Sequence, residues 1–400
     1  MRHASHIAPE ERLIAIAEAM PQRIAPRCKH FGACGGCQLQ DLAYDHQLTA
    51  KKAMLVDVLH AAGLSQVPDV EVSSASPWDY RNRIRLRIQG TRVGYSLRSS
   101  NEFLAIDECP IASPILIRIA FAMCDNARTG KASLPEGATA VEVFTDADEQ
   151  SVQMSMHVDA TVADVSRDAP AQLRVLSDVL SSEFPQLIGA GLSAAAPDTS
   201  QSKRVQATQR VEIARWGKPQ LRYTVAGREY DVTRTAFFQV NRFLTAEMVR
   251  VVVGHRSGRL VYDLFAGAGL FSFALAERFD QVIAVEIGEP AVSDLKAHMA
   301  SLGQAHCVVH ATTQSFLEHA SQQPDLVVMD PPRAGVSLPA LRSLIRLHPA
   351  EIVYVSCDAG TFARDAKTLI NAGYTISALH LLDIFPHTFH TETIAVFHRA

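Results

Sequence analysis

The stretch Asp263-Leu264-Phe265-Ala266-Gly267-Ala268-Gly269 decides the fold. It closes an apolar run, Leu260–Leu264, and opens a segment of helical period, Leu270–Arg278. Two glycines let the backbone turn tightly and approach a ligand closely, with a helix N-terminus behind the turn. A dinucleotide fingerprint asks for a third glycine at position 272, where this chain has Ser272. The acid ahead of the glycines, Asp263, suits an S-adenosylmethionine site better than a nicotinamide site. Glu286 ends the next apolar run, 17 residues after Gly269, where a carboxylate can bind both ribose hydroxyls.

Around this turn the same grammar repeats. Gln281–Val285, Leu326–Met329 and Ile352–Ser356 are short buried-strand segments, and Ala291–Ser301, Leu338–Leu347 and Thr361–Ala372 have helical period. Strands alternating with helices predict a doubly wound parallel α/β sheet, whose sites lie at the carboxyl ends of the strands. Asp330-Pro331-Pro332-Arg333-Ala334-Gly335 stands at one such end, its prolines holding the backbone after Asp330. A similar Asp-Pro-Pro-aromatic motif marks methylation of exocyclic amines, but Arg333 replaces the stacking ring. Cys357 stands at another strand end, before the helix beginning near Thr361, where the helix dipole favours a thiolate. Near the C-terminus His387-Thr388-Phe389-His390-Thr391-Glu392 precedes the apolar strand Thr393–Phe397. These residue types can bind metal, yet nothing else in this half completes such a site, and a solvated turn accounts for His390.

Before residue 235 the texture differs. Arg81–Ile88, Ala140–Phe144, Ser151–Val158 and Gln220–Val225 alternate as strands of a mainly antiparallel sheet, with helices at Leu48–Ala62 and Ile115–Arg128 and a polar loop at Ala194–Lys203. In a strand Arg81, Arg83, Arg85 and Arg87 share one face, a ridge suited to phosphate contact or to plain solvation. Cys28, Cys34 and Cys37 crowd together and need a fourth thiol, for which Cys109-Pro110 is a better candidate than Cys124 in an apolar helix; four thiolates suit tetrahedral zinc or a [4Fe–4S] cluster.

Composition sets the frame. A 400-residue chain with 48% apolar and 20% charged residues builds a sizeable core and exceeds one ordinary domain. No apolar run is long enough to span a membrane, and no signal-type segment opens the chain, so a cytoplasmic protein is expected. Seven cysteines, an odd number, do not read as a secreted disulfide framework. The net charge of −4 hides an uneven spread: residues 1–100 carry 13 Lys and Arg against 9 Asp and Glu.

Phe238-Gln239-Val240-Asn241, Asp263–Gly269, Asp330–Gly335, Ser356-Cys357 with Thr361–Asp365, and His390-Thr391-Glu392 together resemble, in order and spacing, the RNA uracil-5-methyltransferases. That resemblance implies a class I S-adenosylmethionine-dependent methyltransferase fold and an RNA substrate, 23S rRNA or alternatively the tRNA T-loop. It implies Cys357 as the nucleophile toward uracil carbon 6 and Glu392 as the base that removes the carbon 5 proton. Gln239, Asp263, Phe265, Gly267, Gly269, Glu286 and Asp330 fall at cofactor-binding positions. The cysteine spacing resembles the iron–sulfur segment of the 23S rRNA members, with Cys28, Cys34, Cys37 and Cys109 as ligands of a [4Fe–4S] cluster and zinc as the alternative.

Two departures stand out: Leu270 replaces a polar residue of some members, and 27 residues before Cys28 are too few for the OB-like domain many members carry. The expected organisation is a short extension at 1–27, an iron–sulfur and RNA-binding α+β domain at 28–235, and the methyltransferase domain at 236–400, in a monomer. Beside this reading stand a non-catalytic iron–sulfur RNA-binding protein and an amine methyltransferase that leaves Cys357 unexplained.

Overall fold

A computed structural model describes residues 8–21, 23–161, 164–195, 210–303 and 305–399. Its larger sheet has eight strands. From edge to edge they are Val70–Ser73, Tyr374–Leu382, Glu392–Arg399, Glu351–Ser356, Leu326–Met329, Gly258–Leu264, Phe279–Glu286 and Cys307–His310. All neighbours run parallel except Glu392–Arg399, which is antiparallel to both of its partners. The central strands are apolar on both faces because helices cover both sides. Leu326–Met329 is buried throughout, and Gly258–Leu264 from Leu260 onward. This is the doubly wound sheet expected from the sequence.

One face is covered by helices Pro9–Glu18, Tyr44–Ala61, Leu338–Arg346 and Ala359–Asn371. The other is covered by Thr245–Val253, Leu270–Leu275 and Glu289–Ala300, together with the hairpin Gln220–Val225/Arg228–Thr233. The packing therefore crosses the expected division at residue 235. Helix Tyr44–Ala61 buries Ala50, Met54, Leu55, Val58 and Leu59 in the same core as Phe362 and Phe397, and Val70–Ser73 extends the sheet itself. Both faces of a parallel sheet need cover, and here part of that cover comes from the N-terminal half.

A second sheet of seven strands lies between: Phe103–Ala105, Arg92–Ser96, Arg83–Gln89, Ala138–Thr145, Val152–Thr161, Leu187–Ala195 and Arg210–Gly217 in spatial order. It is antiparallel except for Val152–Thr161 beside Leu187–Ala195, where helix Ala169–Glu183 makes the crossover. Of the expected loop at Ala194–Lys203, Ala194 and Ala195 end a strand and the remainder lies outside the described residues.

A buried ion pair locks the two halves. Lys51 Nζ, fully buried, donates to Asp383 Oδ1 at 2.6 Å and to the Phe385 carbonyl at 2.9 Å, and Tyr44 donates to the other oxygen of Asp383 at 2.9 Å. Among the described residues no helix is long and apolar enough to cross a membrane.

Candidate active site

The glycine turn follows the central strand. Phe265 adopts a left-handed conformation at φ 63°, rare for a bulky residue and a mark of imposed strain. Gly269 sits at φ 90°, and a Cβ there would meet Leu295 Cδ1 at 2.7 Å, whereas Gly267 faces open space. Asp263 is 1% exposed and accepts from the Ser272 hydroxyl, so the serine that breaks the dinucleotide pattern holds the acid instead. Glu286 accepts from the amides of Gly267 at 2.9 Å, Ile287 at 2.8 Å and Gly288 at 2.6 Å, which fixes its carboxylate against the turn. Asp330 leaves the adjacent strand, its amide bonded to the Leu264 carbonyl at 3.3 Å and its carboxylate 3.4 Å from Gln239 Nε2.

Burial first, then the charges of Asp330 and Glu286, push Asp263 up to about 7, and burial pushes Asp330 up to about 7. Carboxyl groups converging on a glycine turn suit a ligand that carries hydroxyls and a positive charge, as a ribose and a sulfonium do.

The nucleophile and base candidates come from neighbouring strands. Val355 pairs with Ile394 and Ser356 with Thr393, so the next position along the register opposes Cys357 to Glu392. Glu392 is 4% exposed; burial foremost, with the Asp330 charge, raises its pKa, while Arg333 opposes the rise. The expected dipole-favoured thiolate is not what the structure builds. Cys357 is pushed up to about 11 by burial and by the charges of Glu392 and Asp330. Asp358 caps the following helix by accepting from the Thr361 amide at 2.7 Å, which places another negative charge beside the thiol. The resting thiol is therefore protonated, and Arg333 is the cation that opposes this.

The strands alone do not hold these groups; a network beneath them does. Asp365, 1% exposed, accepts from the Tyr354 hydroxyl at 2.7 Å, the Val336 amide at 2.8 Å and Arg364 Nε at 2.8 Å. Arg364 in turn donates to the Ala334 carbonyl at 2.9 Å, and Thr361 to the Arg333 carbonyl at 3.0 Å. The helix after the nucleophile is thus riveted to the Asp330–Gly335 loop. Asp365 occurs in the quoted motif, but its holding role went unread; the available signal is a lone acid on the Phe362, Ala366, Leu369 face of an amphipathic helix. Tyr80 and Asn82 were likewise missed. Asn82 donates to the Gln239 carbonyl and the Tyr223 hydroxyl, both at 2.9 Å, and its amide bonds the Val240 carbonyl at 3.0 Å, seating Gln239.

The cysteine segment is drawn together by its surroundings. The Lys29 amide donates to Glu108 at 2.7 Å, His30 pairs with Asp107 at 2.8 Å, and the Arg98 amide bonds the Ala33 carbonyl at 2.8 Å. All seven cysteines are free thiols. Burial foremost pushes the thiols of Cys28, Cys34, Cys37 and Cys109 up. Among the described residues no group of three or more His, Cys, Asp or Glu side chains is spaced to hold a metal ion as it stands, at the cysteines or at His387, His390 and Glu392.

The four-arginine ridge needs correction. Ile84 and Leu86 are buried as expected, and Arg85 and Arg87 are exposed. Arg83, however, is drawn inward to Glu142 at 3.1 Å with its guanidinium 4.0 Å from the Phe144 ring centre. Arg81 precedes the strand, pairs instead with Ala112 and Asn241, and interacts with Tyr80, Tyr95 and Cys109. Hairpin Gln220–Thr233 packs on the near end of that face, Tyr223 on Phe144 and the Gln220 carbonyl on Gln153.

Comparison with known proteins agrees with this geometry. A family model described as tRNA (uracil-5-)-methyltransferase matches residues 43–305 and 316–400. The chain is 31% identical to a 23S rRNA (uracil(1939)-C(5))-methyltransferase, RlmD, of Salmonella paratyphi A, over 95% of this chain and 83% of the relative. It is 28% identical to an uncharacterized RNA methyltransferase of Aquifex aeolicus, over 94% of this chain and 84% of the relative. A solved structure, the Pyrococcus abyssi tRNA (uracil-54, C5)-methyltransferase in complex with S-adenosyl-L-homocysteine, superposes with a TM-score of 0.72 at 25% identity, covering 92% of this chain and 86% of the other.

Proposed function

This chain belongs to the RNA uracil-5-methyltransferase family and is an S-adenosylmethionine-dependent enzyme of that class, and on that premise we propose that it methylates carbon 5 of a uridine in 23S rRNA through a covalent bond between Cys357 and uracil carbon 6. The observation that carries the chemistry is the opposition of Cys357 and Glu392 across paired strands, beside Asp330.

Carbon 5 of uracil is a poor nucleophile. Addition of the Cys357 sulfur to carbon 6 moves the ring electrons toward carbon 5 and the carbon 4 oxygen, as an enolate. S-adenosylmethionine supplies an electrophilic methyl group. Asp263, Glu286 and Asp330, with Gln239 and the Phe265–Gly269 turn, would hold it. Glu392 as carboxylate then takes the carbon 5 proton; the carbon–hydrogen electrons form the 5,6 double bond, and Cys357 leaves as thiolate. Because Cys357 rests as a thiol, its proton must leave before attack, and Asp330 is the adjacent acceptor that keeps Glu392 a carboxylate for the carbon 5 proton. The target base flips out of its stack to reach this pocket.

The Lys29–Glu108 and His30–Asp107 ties fasten the segment that carries Cys28, Cys34 and Cys37 beside Cys109. This four-thiol donor set, not spaced to hold an ion as it stands, suits a metal cluster in its chemistry. Cys28, Cys34, Cys37 and Cys109 would hold a [4Fe–4S] cluster, with zinc as the alternative, and the group would cross-link the 28–37 segment to Cys109. Relatives at 31% identity that act on 23S rRNA, together with this quartet, support the ribosomal target. The family model and the Pyrococcus structure, both described for tRNA, support the T-loop as the second reading. Methylation assays on purified 23S rRNA and tRNA lacking 5-methyluridine separate them. Label in 23S rRNA alone is expected; label in tRNA alone reverses the assignment.

A further inference from the structure

The loop Asp383–Thr391 delivers Glu392 to its strand, and residues of the N-terminal half fasten it. The amides of Gln38 and Leu39 donate to the His387 carbonyl at 2.8 and 3.0 Å. The Phe389 amide donates to Gln38 Oε1 at 3.3 Å. Gln38 Nε2 donates to the Gly35 carbonyl at 2.7 Å, inside the turn between Cys34 and Cys37. Gln47 bonds the carbonyls of Leu39 and Leu42, both at 2.8 Å, and its oxygen accepts from the His387 amide at 3.1 Å. The Tyr80 hydroxyl donates to the Pro386 carbonyl at 3.1 Å. His387 itself stands at φ 65°, a conformation that a non-glycine residue keeps only when its surroundings enforce it.

We propose that Gln38 is a positioning residue for the general base: one end of its side chain holds the cysteine turn and the other holds the loop that carries Glu392. The inference rests on the reading of Cys357 and Glu392 given above. Nucleophile and base draw on different anchors, joined where Arg333 Nη2 of the Asp330 loop meets the His390 ring at 3.0 Å. Cys357 and the Asp330 loop depend on Asp365, Arg364 and Thr361, which the cysteine segment does not touch in this network. Glu392 opens its strand opposite Leu382, and the 383–391 loop sets the approach of the chain to it. Loosening the cysteine turn should therefore spare formation of the covalent methylated intermediate and slow its resolution. Resolution transfers the carbon 5 proton to Glu392, forms the 5,6 double bond and breaks the carbon 6–sulfur bond, so it is the step sensitive to where the carboxylate sits. A displacement near 1 Å at such a step costs on the order of 100-fold.

The test uses the full chain, its RNA substrate and S-adenosylmethionine labelled in the methyl group. Gln38→Ala should lower turnover by about 10- to 100-fold while an SDS-resistant, methyl-labelled protein–RNA complex accumulates, with cofactor binding unchanged. Gln38→Met, which keeps the packing, carries the same expectation if the alanine variant melts low. Gln38→Glu keeps the acceptor for the Phe389 amide but sets an oxygen against the Gly35 carbonyl, so it should accumulate the complex as the alanine variant does. Glu392→Gln serves as the reference and should accumulate the same complex. If Glu392→Gln traps the complex while Gln38→Ala and Gln38→Met turn over without it, the positioning role is overturned and the base assignment stands. If Glu392→Gln releases product normally, the base assignment itself fails.

Discussion

Cys357 directly follows and Glu392 directly precedes Ser356–Thr393, the last pair between the antiparallel strands Glu351–Ser356 and Glu392–Arg399, and the Glu392 carboxylate acts on the thiol. Opposed residues on paired strands have Cβ atoms about 5 Å apart, close enough for both groups to work on one six-membered ring. The antiparallel insertion of the last strand is what makes this possible. A strictly parallel sheet would carry its C-terminal strand's first residue to the opposite edge.

Removing the sulfur should separate chemistry from binding. Cys357→Ala is expected to lower methyl transfer by on the order of 10⁴-fold or more and to abolish the covalent RNA complex. Cofactor affinity should stay within about twofold, because the Asp263–Gly269 turn and Glu286 lie on other strands. Equilibrium binding of S-adenosyl-L-homocysteine checks the second half.

Acidity follows from burial. Asp263 and Asp330 titrate near 7, Glu392 is raised, and Cys357 is pushed up to about 11. Cofactor binding, base action and nucleophile formation all need the deprotonated form, so kcat/KM should rise from pH 6 to pH 8 and continue upward into the alkaline range. Below pH 6 it should fall by at least about tenfold per pH unit. A bell with its maximum near pH 6 would contradict these directions.

Asp263 also exacts a stability penalty. Its folded pKa of about 7 lies above the ordinary 3.8, so the folded state holds a proton that the unfolded chain has lost between those values. Stability from this group is greatest below pH 3.8 and declines as pH rises through 7. Asp263→Asn should therefore melt higher than the wild type at pH 8, by on the order of 1–4 kcal/mol. The gap should narrow toward pH 4, and cofactor binding should weaken. Thermal melts at the two pH values decide it.

Breaking the interhalf lock should be severe. Lys51→Met leaves Asp383 buried without its cation, at a cost of about 3–5 kcal/mol. A melting temperature within a few degrees of wild type would show that the pair contributes little.

The corrected arginine face makes a contrast. Arg85→Ala should weaken RNA binding and lower the slope of log K against log salt by about one, with no change in melting. Arg83→Ala should instead destabilise by about 1–3 kcal/mol, because Glu142 loses its partner and Phe144 its covering cation. Filter binding at several salt concentrations and melts of both variants separate the roles.

What could be read from the sequence was whatever repeats or stands at a fixed offset. The α/β alternation after residue 258, the Asp263 turn and the strand ends at Asp330 and Cys357 all obey local periods. The ionisation of Cys357 was misjudged because the dipole of a following helix is a local cue, whereas burial and the charges of Glu392 and Asp330 are set by other strands. Arg83 looked solvated because strand alternation gives a face and not what covers it; hairpin Gln220–Thr233, more than a hundred residues on, does the covering. The ties of Gln38 and Gln47 to His387 span well over three hundred residues and leave no periodic trace.

The chemistry proposed for Cys357 leaves one 5-methyluridine in 23S rRNA. It is tested most directly by mass spectrometry of nuclease-digested 23S rRNA and tRNA from a strain lacking this protein, complemented with the wild type or with Cys357→Ala. One 5-methyluridine should be missing from 23S rRNA in the deletion, return with the wild type and stay missing with Cys357→Ala. Its return with the alanine variant would contradict the mechanism, and its loss from tRNA with 23S rRNA unchanged would contradict the target.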